Sequence, residues 1–187
     1  VSQDSMERVC NWLLRTQDPT GGFGYQGKDP GDGKYVRTDQ DGVRNSLSAA
    51  GAGSLYICAD ILRFKTIADP NAKADSDLPP ALVLVEEGKN EVKKGPVAEN
   101  VPSKIMMRGL SDANAWMSRN YKIDQGAWNL YHLYALERYQ SFRELADNLK
   151  DEEPKWYNDG VRHLTKTQSV KGTWDSNCGE PVDTAFG

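Results

Sequence analysis

Long apolar runs, paired cysteines and an excess of basic charge are all missing from this chain of 187 residues. The longest apolar run, Ala81 to Val85, falls well short of the about twenty consecutive apolar residues that a membrane-spanning helix needs, so no transmembrane segment is expected. The opening residues Val1-Ser2-Gln3-Asp4 carry no basic stretch followed by an apolar core, so no secretory signal is visible and the compartment stays unassigned. The cysteines, Cys10, Cys58 and Cys178, are odd in number, lie far apart and include no C-x-x-C pair. Buried or free thiols are therefore expected rather than a zinc or redox centre. A net charge of −4 with mixed signs lacks the clustered basic surface of a nucleic-acid binder, so no nucleic-acid partner is expected.

What the chain does have suits one globular domain with many turns. Apolar residues make up 38%, charged residues 27%, and there are 17 Gly and 9 Pro, a balance typical of neither disordered nor membrane proteins. The length falls within the range of a single domain.

Helical periodicity recurs along most of it. Asp4 with Glu7 reads as a capping box, and Met6, Val9, Cys10, Leu13, Leu14 and Gln17 follow on one face. Asp18-Pro19-Thr20-Gly21-Gly22-Phe23 ends that helix and opens a polar loop running to about Arg44. A second helix is expected over Asn45 to Phe64, where Gly51 and Gly53 make sense only if close packing offsets their helix penalty of about 1 kcal/mol each. Residues from about 66 to 104, with Asp69-Pro70, Pro79-Pro80, Gly95-Pro96 and Val101-Pro102, read as an irregular insertion within the one domain that spans 1–187. Ser111 is the expected N-cap of a third helix carrying Ala113, Trp116, Met117 and Tyr121. After a turn at Asp124-Gln125-Gly126, a fourth helix with Trp128, Tyr131, His132, Ala135, Tyr139 and Phe142 on one side and Leu130, Leu133, Tyr134 and Leu136 on the other is apolar nearly all round, as buried helices are. A fifth starts at Asp151-Glu152-Glu153-Pro154, and Pro181 suits the first turn of a sixth.

Two of the turns repeat. Thr16-Gln17, Gly21 and Phe23 align with Thr167-Gln168, Gly172 and Trp174, from 17 to 168 an offset of 151 residues without a gap. The middle unit, Trp116 to Phe142, keeps the order helix, glycine, aromatic, helix but not the Gln. Internal similarity of this kind marks repeated supersecondary units. On Gln17 to Phe23, Gln168 to Trp174, the segment Tyr131 to Arg138 and Val182-Asp183-Thr184-Ala185-Phe186, the chain resembles the QW-type repeat of the squalene cyclase, terpene cyclase and protein prenyltransferase superfamily, and among its members the uncharacterised bacterial ones. The resemblance spans most of the chain outside about 66–104. It implies an all-α fold, an α/α toroid in which each hairpin gives one helix to an inner and one to an outer ring. Three hairpins make a partial ring, so either a longer chain or self-association is expected.

The chemistry of that superfamily is only partly represented. Where triterpene cyclases carry a D-x-D-D-T-A acid motif, this chain has Glu180-Pro181-Val182-Asp183-Thr184-Ala185. Val182 stands at the place of the proton donor, and Glu180 and Asp183 are the remaining candidates for a catalytic acid; both also suit a helix start. Asp175-Ser176-Asn177-Cys178 departs from the D-x-C zinc motif of prenyltransferases, leaving His132 and His163 as nitrogen ligands, and no metal is expected. Asn177-Cys178-Gly179-Glu180-Pro181 resembles the thioester segment of complement-like toroids but lacks its Gln, Asp39-Gln40-Asp41-Gly42 lacks the distal Glu of a calcium loop because Ala50 stands there, and Gly51-Ala52-Gly53 lacks the Lys of a phosphate loop. No cofactor is implied. Trp128, Tyr131, His132 and Tyr134, on the helix assigned to the inner ring, are the candidate lining for a hydrophobic or polymeric ligand on the concave face. The same hairpins also fit a non-enzymatic protein-binding scaffold, or a carbohydrate-active toroid by analogy of fold.

Overall fold

The computed structural model describes residues 1–64, 97–149 and 151–187. Among them are six helices, α1 (Gln3–Arg15), α2 (Asn45–Ile61), α3 (Ser103–Arg119), α4 (Asn129–Asp147), α5 (Lys155–Thr167) and α6 (Glu180–Phe186). Among the described residues there is no strand, only an isolated antiparallel bridge between Gln17 and Phe23. The fold is all-α. Most of the expected insertion at about 66–104 lies outside the described residues.

α1 is capped by Ser2, whose side chain accepts the Ser5 amide, so the helix starts ahead of the cap expected at Asp4. It ends at Arg15, with Thr16 as C-cap. Its buried stripe is Cys10, Leu13 and Leu14, each leucine contributing roughly 1.5–3 kcal/mol by leaving water. Glu7 is also buried, because it does other work than capping. Its carboxylate accepts from the Gln3 side chain at 2.8 Å, from the amides of Glu99 and Asn100 at 3.0 Å each, and from the Asn100 side chain at 2.9 Å. Together with Gln3 and Asn11, which donate to the carbonyls of Val97 and Asn100, it fastens the approach to α3 onto α1.

α2 occupies the centre. It packs against α1, α3 and α4, and its buried residues are mostly small: Ser46, Ser48, Ala49, Gly51, Ala52, Gly53 and Ala59 accompany Leu55, Tyr56 and Cys58. At Gly53 a β-carbon would lie 3.5 Å from the Tyr139 Cα, so the α4 backbone comes against α2 with no side chain between them. Gly53 meets Tyr139, and three residues on Tyr56 reaches Asp147 at 3.1 Å; numbers rise together on both helices, so α2 and α4 run parallel. Small side chains are what such an approach requires, and the packing offsets the helix penalty of the glycines.

α3 starts at Ser103, eight residues before the cap expected at Ser111, which lies inside the helix. Pro102 precedes its first turn, fixing the backbone there without needing a side-chain cap. The buried stripe runs Met106, Leu110, Ala113 and Met117, while Tyr121 lies beyond the helix end at Arg119. Asn114 joins three helices: its Nδ2 donates to Tyr56 at 2.7 Å and its Oδ1 accepts from Tyr139 at 2.8 Å. Both tyrosine side chains are fully buried, and burial pushes both phenols above their ordinary range, so they serve as neutral partners. The thiols of Cys10 and Cys58 are free and buried, against Met106 and Met6 respectively.

α4 packs on α2, α5 and α6. Its left-handed entry at Trp128 (φ 61°) and exit at Asn148 (φ 50°) fix both ends. The expectation of a helix buried on all sides is corrected: His132, Leu133, Ala135, Leu136 and Tyr139 are buried, whereas Tyr134 is exposed and Tyr131 half-buried. α5 is amphipathic in sequence yet has no buried residue. Tyr157 and Val161 on its apolar stripe are exposed.

The even-numbered helices therefore stand side by side in the order α2, α4, α6. α1 and α3 pack against α2, and α5 packs against α4. One face of the even row carries the core. The other is open.

Candidate functional site

The two Gln turns have the same construction. In the first, Gln17 Nε2 donates to the Gly21 carbonyl at 2.9 Å, the Gly21 amide donates to Asp18 at 2.8 Å and the Asp18 amide to Gly22 at 3.0 Å. In the second, Gln168 Nε2 donates to the Gly172 carbonyl at 3.0 Å, the Gly172 amide to Ser169 at 3.0 Å and the Ser169 amide to Thr173 at 2.9 Å. Both glycines have positive φ, 102° and 80°, which L residues rarely adopt. The correspondence continues into the next helix. The Phe23 amide donates to the Ser48 hydroxyl at 3.0 Å and the Trp174 amide to the Thr184 hydroxyl at 3.1 Å. Three residues beyond each hydroxyl stands a glycine, Gly51 or Gly187, at which a β-carbon would lie 2.4 Å from the Phe23 ring or 2.8 Å from the Trp174 ring. The Thr-Gln, glycine, aromatic pattern is thus one hydrogen-bonded device used twice, tying the turn after α1 to α2 and the turn after α5 to α6.

α6 brings the candidate acidic residues to the end of the second device. Glu180 is its exposed first residue and Val182 is also exposed. Asp183 is buried, and its Oδ2 accepts from the amides of Ser176 at 2.6 Å and Cys178 at 3.2 Å. Burial alone would raise its pKa, but these amide bonds, with the Ser176 side chain and the Gly179 amide, hold it below the ordinary carboxylate range. It is an ionised acceptor that shapes the loop of residues 175–178. The Cys178 thiol is shifted upward by burial and by the neighbouring Asp183 charge, so it stays protonated at neutral pH. Among the described residues, no group of three or more His, Cys, Asp or Glu side chains is placed to hold a metal ion. No helix among them is long and apolar enough to cross a membrane.

The aromatic candidates on α4 divide between two faces. His132 is fully buried, with Nε2 2.8 Å from the Lys122 carbonyl; that contact makes Nε2 the protonated nitrogen, and burial lowers the ring's pKa. It is a neutral core residue, turned away from Tyr131 and Tyr134. Trp128 is exposed at the helix entry, its amide donating to Asn177 at 2.7 Å. Tyr131 and Tyr134 lie on the open face, where the Phe186 ring of α6 packs against both, at centroid distances of 5.8 Å and 5.4 Å.

Beside those tyrosines runs a groove of about 150 Å³ between α2 and α4. Ala50, Gly53 and Ser54 form its α2 side, with Ile57 near one end, and Tyr131, Tyr134 and Phe142 stand on the α4 side. Arg138 also borders it, its guanidinium 5.5 Å over the Tyr134 ring and 5.6 Å over the Phe142 ring. Arg138 is not among the expected lining residues Trp128, Tyr131, His132 and Tyr134. The signal was present in the spacing, because Tyr134, Arg138 and Phe142 recur every four residues and share one helix face. A second apolar hollow, of about 210 Å³, lies between α4, α5 and α6 against Leu133, Val161, Leu164 and Phe186.

No family model, no curated protein and no solved structure matches this chain.

Proposed function

We propose that this chain is a terpene cyclase- and prenyltransferase-like repeat domain, part of an α/α toroid, which binds a hydrophobic or polymeric ligand on the open face of the row α2, α4, α6. The observation that carries this reading is the groove between α2 and α4, where small residues face the half-exposed rings of Tyr131 and Tyr134. An apolar cleft with a few convergent aromatic and polar groups is the usual form of a ligand site. The turn device shared by α2 and α6, and the parallel run of α2 and its neighbour α4, support the ring arrangement, in which inner helices line up in one direction. The carbohydrate-active alternative stands on analogy of fold and has no separate observation in its favour.

The test is calorimetric titration of the chain with a triterpene, a polyprenyl diphosphate and an oligosaccharide, each repeated on Tyr134→Ala. Saturable binding that weakens in the variant supports the reading. Binding of none of them overturns it.

A second reading, a protein-binding scaffold without catalysis, draws on α5. Its apolar stripe leaves Tyr157 and Val161 exposed, and apolar surface of that kind marks contact with another protein or another copy. Light scattering distinguishes this reading: a monomer at all concentrations, unaltered by Val161→Asp, counts against self-association.

A further inference from the structure

The groove between α2 and α4 is apolar along its length but charged at one place. Arg138 lies over Tyr134 and Phe142 at 5.5 Å and 5.6 Å, and among the described residues no carboxylate lies within ion-pair distance of it. On a chain with a net charge of −4, an exposed arginine with no acidic partner among the described residues, held over ring faces at the rim of an apolar groove, is a local reversal of sign. Cation–π attraction to a ring face does not use up the hydrogen-bond donors of a guanidinium, which stay free to bind an anion.

From this complementarity we infer that the groove takes a single-chain amphiphile with a monoanionic head, a medium-chain carboxylate, its tail along Ala50, Ser54 and Ile57 and its head on Arg138. The inference rests on the proposed reading of this face as the binding face, and it names the ligand chemistry. From Ala50 to Ile57 the helix rises by about 10 Å, a run that suits a medium alkyl chain. One guanidinium offers one bidentate site for one carboxylate, whereas a diphosphate carries several charges and would leave most of them without a cation. Gly53 brings the α4 backbone into contact with α2, so the groove is closed at its base and a chain would lie along its open side, beside Ala50, Ser54 and Ile57.

The experiment uses the full chain and three probes: octanoate, octanol with the same tail and no charge, and farnesyl diphosphate. Calorimetry is run on the wild type, on Arg138→Gln, and on Ala50→Trp, which fills the groove; circular dichroism melts verify that each variant is folded. The expected result is that octanoate binds, that Arg138→Gln weakens it by about tenfold while leaving octanol unchanged, and that Ala50→Trp abolishes both. If octanol binds as well as octanoate and neither depends on Arg138, the head-group assignment is overturned and the face reading survives. Tighter binding of farnesyl diphosphate, still dependent on Arg138, also overturns the carboxylate. If no amphiphile binds and Tyr134→Ala leaves every other ligand unaffected, the reading of the face falls with it.

Discussion

Gln17 donates one hydrogen bond to the carbonyl of Gly109, at 3.0 Å, while its other amide proton closes its own turn on Gly21. The side chain is fully buried and ties the α1 hairpin to α3. Gln168 makes the same bond within its turn but is exposed. Removing Gln17 leaves the buried Gly21 carbonyl without its side-chain donor and cuts the tie to Gly109, whose carbonyl lies within α3, so Gln17→Ala is expected to cost about 1–3 kcal/mol, and Gln168→Ala to stay within about 0.5 kcal/mol. Urea unfolding of the two variants measures the difference. Equal losses would show that the two turns do not differ in the way their surroundings indicate.

A second test concerns the glycine beneath Phe23. Alanine normally stabilises a helix by about 1 kcal/mol relative to glycine, yet at Gly51 the added methyl would lie 2.4 Å from the ring. Gly51→Ala is therefore expected to destabilise by about 1–3 kcal/mol, with partial recovery when combined with Phe23→Leu. Gly109→Ala meets the tip of the Leu14 side chain at 2.5 Å, which can turn aside, and is expected to cost less. Thermal melts of the three variants beside the wild type decide it.

Acid should release the α1 anchor. The hydrogen bond from the Gln3 side chain and that from the Glu99 amide, opposed by burial and joined by the bonds from Asn100, lower the pKa of Glu7 in the folded chain. A carboxylate depressed on folding stabilises fully above its unfolded value of about 4.3, and that stability is lost as pH falls through the folded value. Glu7→Gln is thus expected to be less stable than wild type at pH 7, with the gap narrowing below about pH 4. Unfolding midpoints across that range check the sign; a gap that widens on acidification would contradict it.

Asp183 raises the pKa of the Cys178 thiol, after burial, by its charge and a hydrogen bond. Asp183→Asn removes the charge and should increase the thiolate fraction, so Cys178 is expected to react faster with a disulfide reagent near neutral pH. Stopped-flow absorbance on a Cys10→Ala/Cys58→Ala background isolates that thiol. An unchanged rate would mean that Asp183 does not control it.

Local chemistry was legible in the sequence and non-local chemistry was not. Gln17, Gly21 and Phe23 announce their turn because its hydrogen bonds close within a few residues, and Pro154 and Pro181 mark helix starts for the same reason. Gly51 and Gly53 pointed to a close approach, though not to which helix. Glu7 read as a capping residue because its partners, Glu99 and Asn100, lie some ninety residues on. Ser111 reads as the start of α3 because serine is a familiar cap, although Met106 and Leu110 already continue the stripe of Ala113 and Met117. At the candidate site, Tyr131 and Tyr134 share one face, although the sequence pattern puts them on opposite sides of the helix. His132, between them in sequence, turns into the core, since neighbouring helical residues point in different directions.

The contact between Gly53 and Tyr139 also sets an order of events during synthesis. The α1–α2 hairpin leaves the ribosome with the bare small-residue side of α2 uncovered, and nothing can occupy it in the native way until α4 has been translated. Nascent chains in that interval display a smooth apolar strip open to chaperones and to other unfinished copies, so the pace of elongation between the two helices bears on how much of the protein matures.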